Sequence, residues 1–108
     1  MKTMSKTAAL KAAQKEVSYP MGSGTSWCIV APYYNDRPNG PSAEISGNCY
    51  SDLLSRRAQK VAEIALCMMS IDISDAEVDY VVYKYGTMSA KKIVDAVIEM
   101  KSEMIRDE

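Results

Sequence analysis

Apolar positions recur at helical spacing over four stretches and at strand density over two short ones. Residues 4–17 are rich in Ala and Lys, both good helix formers, with Ser5 or Thr7 placed to cap them. The apolar face there is mostly alanine, with Leu10 and Val17. Such a face packs closely but buries little area, so this helix is expected to fray or to dock late. Tyr19-Pro20 ends it, because a residue before proline avoids the helical region. Residues 21–26 read as a flexible turn. Trp27, Cys28, Ile29, Val30 and Ala31 are strand formers. Pro32 then points to a sheet edge or a strand end. Residues 35–41 are dense in turn formers, and residues 42–46 return as a second strand before Gly47-Asn48.

Residues 50–70 carry the strongest helical pattern. Ser51 is the expected N-cap, with Asp52 in the first turn. Leu54, Ala58, Val61, Ala65 and Met68 form one stripe, widened by Ile64 and Met69. Arg56, Gln59, Lys60 and Glu63 take the opposite face. Arg57 falls at the apolar edge and is expected to snorkel, its stem on the core and its head in water. Over residues 74–85, Ser74 and Glu77 have capping-box spacing, and Val78, Val81, Val82 and Tyr85 share a face. The run also has strand propensity, but its alternation is not clean, so helix is expected, stopped by Gly86. Residues 89–105 form the last helix, with Ser89 as N-cap. One ridge is Ile93, Val97, Met100 and Met104; the other is Val94, Ile98 and Ile105. Together they exceed a single apolar seam. The helix therefore meets two neighbours or a second copy, and a homodimer on Val94, Ile98 and Ile105 is the expectation.

The fold class expected is α+β: an N-terminal helix, a two-stranded antiparallel hairpin, then three helices. The chain reads as a single small domain over 1–108, with 1–5 and 106–108 frayed. A lone hairpin is marginal, so it must lie on the helices.

Composition narrows the function more than the fold. The chain has 108 residues, 47% hydrophobic and 25% charged, which is ordinary for a globular domain. Histidine is absent, which removes His-based triads, His zinc ligands and a His general base. Phenylalanine is absent too, so eight Met and seven Tyr help to fill its role. Three cysteines, Cys28, Cys49 and Cys67, form no CxxC pair and read as inert core thiols in a reducing compartment. No catalytic residue, metal ligand set or cofactor site is expected, and the chain reads as a non-enzyme. No stretch of about 18 apolar residues occurs, and no apolar run follows Lys2 and Lys6. A cytoplasmic protein without membrane contact is expected.

Two segments invite a binding role. Trp27, Tyr33, Tyr34, Asp36 and Arg37 concentrate the residues that anchor protein contacts. They favour a partner protein bound through the hairpin and its loop. Gly22, Ser23, Gly24 and Thr25 offer backbone donors and hydroxyls that could cradle an anion or a nucleotide phosphate. Nucleic acid is a lesser expectation. Residues 75–99 read as a helix-turn-helix with Lys91 and Lys92 opening the second helix. Yet residues 72–108 hold five Lys or Arg against nine Asp or Glu, a field that opposes phosphate.

A helix, strands and then Arg56, Arg57 and Lys60 on an Ala-rich helix resemble the double-stranded RNA-binding domain over residues 6–69. The resemblance implies phosphate contacts at those three side chains. The short, His-free, Met-rich chain with a polar helical exterior also resembles the small accessory proteins of temperate bacteriophages or prophages of enteric bacteria. That resemblance implies a small regulator, or an inhibitor of a host enzyme, and transfers no functional residue.

Overall fold

Helix α1, Lys6–Glu16, begins where Ser5 accepts the Ala8 N–H at 3.3 Å. The computed structural model describes residues 4–31, 43–86 and 89–106. Ala9 and Ala13 are fully buried, and Leu10 and Val17 nearly so. Their small side chains let α1 lie close along α2, Tyr50–Met68. The alanine face is therefore docked along its length.

Three strands follow α1: β1, Met21–Ser23; β2, Ser26–Ala31; and β3, Ala43–Gly47. They form one antiparallel sheet in the order β1-β2-β3. The expected two-stranded hairpin thus has a third strand, made from residues read as a flexible turn. Ser23 stands opposite Ser26, and Gly24-Thr25 is the two-residue connection. Gly24 has φ +67° and Thr25 does not turn positive, the type II′ pattern that matches strand twist. At Gly22 a Cβ would lie 2.0 Å from the Ser26 carbonyl oxygen, so only glycine fits. The glycines that looked like flexibility serve a tight hairpin.

β2 pairs with β3 without a bulge, from Trp27 opposite Gly47 to Ala31 opposite Ala43. Ile29 and Ala31 are buried on the face toward α2, while Met21 and Val30 are exposed on the other. The sheet also shifts the buried stripe at the start of α2. The helix opens after Cys49, not Ser51, and Cys49 makes no side-chain cap bond. Leu53 is buried and Leu54 is exposed, one residue from the expected stripe. Leu53 sits directly over Gly47, so the sheet decides which side of the first turn is inside. Further along, Val61, Ile64, Ala65 and Leu66 meet α1 and the last helix.

Helix α3, Asp75–Tyr85, carries both halves of the capping box: Ser74 accepts the Glu77 N–H, and Glu77 accepts the Ser74 N–H. Gly86 closes it, donating its N–H to the Val82 carbonyl at 2.7 Å. Val78 and Val81 are buried as expected, but Tyr85, in the last turn, overhangs into solvent. Helix α4, Ala90–Arg106, starts where the Ser89 hydroxyl accepts the Lys92 N–H. It packs on both α2 and α3. Ile93, Val94 and Val97 are buried, and Ile98 and Met100 lean half-buried on the same core. The described residues of both ridges, as far as Met100, pack inside the chain. Val94, expected at a dimer seam, has no exposed surface. The Ile105 side chain lies outside the described residues.

Candidate functional site

Arg57 departs furthest from its sequence reading. Only 8% of the residue is exposed, and its head turns inward to backbone carbonyls instead of extending into water. Its Nε donates to the Ser18 carbonyl at 3.2 Å, and Nη2 donates to the carbonyls of Gln14 at 3.0 Å and Val17 at 3.2 Å. These carbonyls end α1 and begin its exit, where helix geometry leaves acceptors without partners. The cation also meets the negative end of the α1 dipole. The guanidinium lies 3.7 Å from the centre of the Tyr19 ring, an additional attraction. Arg57 is a tertiary C-cap, supplied from α2.

Ser18 completes this junction. Its N–H donates to the Val30 carbonyl at 2.9 Å, and its hydroxyl accepts the Val30 N–H at 2.7 Å. The side chain stands in for a backbone acceptor just where Pro20 breaks regular pairing.

At the far end of the sheet, Trp27 is half-buried. Its Nε1 donates to the Gly24 carbonyl at 3.0 Å, and its ring meets Tyr50 edge-on at 4.9 Å between centroids. Tyr50 and Leu54, one helical turn apart on α2, are 44% and 36% exposed. Cys49 adjoins them and is exposed, contrary to the core reading, while Cys28 and Cys67 are half-buried. The Ser51 hydroxyl, 3.0 Å from Cys49 Sγ, and the N–H groups of Asp52 and Ser51 hold this thiol below its ordinary range.

Among the described residues the most exposed aromatic surface is on α3, which the sequence reading did not single out. Tyr80, Tyr83 and Tyr85 are 52%, 90% and 52% exposed. Lys84 lies 5.3 Å from the Tyr85 ring centre and 6.0 Å from that of Tyr80. The Tyr85 hydroxyl, and then Tyr80, hold its ammonium above the ordinary range. Beside Tyr85 opens a cleft of about 300 Å³, floored by Val81, Ile93 and Ala96 and rimmed by Lys92, Asp95 and Glu99. The signal for this surface was present: three tyrosines in six positions are too many for one buried helical stripe.

Among the described residues, those singled out in the sequence fall on separate elements. Tyr33, Tyr34, Asp36 and Arg37 lie outside the described residues. The segment that holds them leaves β2 at Ala31, four residues from Trp27, or about 13 Å along a strand. Trp27 therefore belongs to the opposite end of the sheet. Gly22, Ser23, Gly24 and Thr25 belong to the β1–β2 hairpin, and the Gly24 carbonyl already accepts Trp27 Nε1. Arg56 is exposed, Arg57 faces inward, and Lys60 pairs with Glu63 at 3.2 Å. Lys91 and Lys92 are exposed on a different helix, α4. Glu77, at the start of α3, reaches Lys101, near the end of α4, at 2.7 Å. The two helices thus run antiparallel as a helical hairpin. Among the described residues no three Cys, Asp or Glu side chains gather as a metal site, and no helix is long and apolar enough to cross a membrane. No protein family, curated protein or solved structure matches this chain.

Proposed function

We propose that this chain is a non-catalytic protein-binding module, a small regulator or inhibitor of a partner protein. Its contact surface is the C-terminal half of α3, with Tyr85 beside the cleft and Tyr80 and Tyr83 on the outer face of the helix. The observation that carries the reading is the exposure of Tyr80, Tyr83 and Tyr85 on one 11-residue helix beside an apolar cleft. Tyrosine offers a large contact area at low entropic cost, and exposed tyrosines are common anchors of protein interfaces. The cleft gives an incoming apolar side chain a place to bury next to Tyr85. The Trp27–Tyr50 corner fits less well, because Trp27 spends its N–H on the hairpin and its ring on Tyr50 of α2.

Affinity capture from a lysate, run with the wild-type chain and with two variants, tests the reading. Tyr83→Ala with Tyr85→Ala should release a partner held by wild type, with thermal stability nearly unchanged because both side chains face solvent. Tyr50→Ala should retain it. Loss of the partner only with Tyr50→Ala would move the contact to the sheet corner and overturn the α3 assignment.

A further inference from the structure

The free edge of β3 has a property that follows from pairing alone. A strand residue sends its N–H and C=O to one side, and its neighbours send theirs to the other. Val30 sends both to Ser18, on the β1 side. Trp27, Ile29 and Ala31 therefore send theirs to β3, where they face Gly47, Ile45 and Ala43. That leaves Glu44 and Ser46 with N–H and C=O groups pointing away from the sheet. Among the described residues no strand pairs with them. The five-residue strand has no bulge and no proline, and Glu44 is its one charged guard. Ile45 points to the same face as buried Ile29 yet is only half-buried.

We propose that β3 pairs with β3 of a second copy, antiparallel about Ile45, and joins two three-stranded sheets into one of six strands. Only this register suits the strand. Glu44 falls opposite the partner's Ser46, and Ser46 opposite the partner's Glu44. These are the residues with free backbone groups, so the two pairs exchange four hydrogen bonds. Ile45 meets its own copy at the non-hydrogen-bonded position, where Cα atoms approach to about 4.5 Å. Each isoleucine then covers the other, extending the apolar layer begun by Ile29. A two-fold about Glu44 would set two carboxylates face to face, which like charges disfavour. A two-fold about Ser46 would pair Glu44 with Asn48, beyond the end of β3. The contact is isologous and closed, as a stable dimer needs.

Sedimentation of the full chain from about 5 to about 500 µM gives the first readout. A dimer is expected, and Ser46→Glu, which sets two like-charge pairs across the axis, should weaken it about tenfold or more. Glu44→Lys combined with Ser46→Glu should restore it, because each pair then joins opposite charges. Hydrogen exchange on the wild-type chain needs no variant. The Glu44 and Ser46 amides should gain protection as concentration rises, and the Ile45 amide should be protected throughout. A chain that stays monomeric over this range overturns the proposal. So does a dimer in which the Glu44 and Ser46 amides exchange freely, or one that folded Ser46→Glu leaves intact.

Discussion

A buried arginine whose guanidinium has three carbonyl partners is a structural centre, and Arg57 shows what one residue decides in this chain. It links α2 to the end of α1 and to the segment that enters the sheet. Arg57→Ala leaves those carbonyls without a charged donor, so it should cost roughly 3 kcal/mol in urea unfolding. Arg57→Lys keeps the charge but loses the planar fork and the ring stack, and should recover less than half of that. A loss below about 0.5 kcal/mol for the alanine variant would show that water caps α1 equally well. Cys49 gives a second prediction at this scale. Its thiol is exposed and held low by the Ser51 hydroxyl and the N–H groups of Asp52 and Ser51. In timed alkylation near neutral pH, Cys49 should react ahead of Cys28 and Cys67, because the thiolate is the nucleophile. Ser51→Ala should slow Cys49 selectively, and equal rates at all three thiols would contradict the assignment.

Among the elements, α3 is held to α4 by a titratable contact. The Lys101 ammonium, and then the Ser74 N–H, hold the Glu77 carboxyl below the usual carboxylate range. A group whose folded pKa is lowered stabilises the fold above its unfolded pKa, and this is lost as pH falls through the folded value. Stability should therefore fall from about pH 4.3 downward as Glu77 takes up its proton. The share due to this ion pair should stay below about 1 kcal/mol, since both side chains remain partly in water. Glu77→Gln should flatten that part of the pH profile and loosen the start of α3. An unchanged acid limb in urea titrations would show that Glu77 contributes nothing there.

At the scale of the whole molecule, α1 is fastened at both ends. Lys6 pairs with Asp95 on α4 at 2.6 Å, the Met4 N–H donates to the Met68 carbonyl, and Arg57 caps the other end. Between these ties, Ala9 and Ala13 have no exposed surface. Room for a larger side chain is therefore absent, and Ala13→Leu should cost about 1–3 kcal/mol in spite of its added apolar area. A gain in stability on that substitution would mean that the α1–α2 contact is loose.

The four helices, their caps at Ser5, Ser74 and Ser89, and the stop at Gly86 were legible in the chain. They depend on neighbours within a turn, and local spacing carries that information. So was the strand at residues 27–31, whose density of β-formers needs no partner to be seen. The third strand was not legible, because a Gly-rich segment reads as freedom until a facing strand turns it into a hairpin. Leu53 and Leu54 could not be told apart, since the sheet over Gly47 decides which one is inside. Arg57 looked like a snorkelling side chain because its partners lie about forty residues away. The second ridge of α4 led the sequence reading to a second copy, and it could not show that Val94 is buried within the chain. Local chemistry writes the elements into the sequence. Long-range packing alone decides which of their faces are spent on the core and which, such as the tyrosines of α3 and the edge of β3, remain for something else.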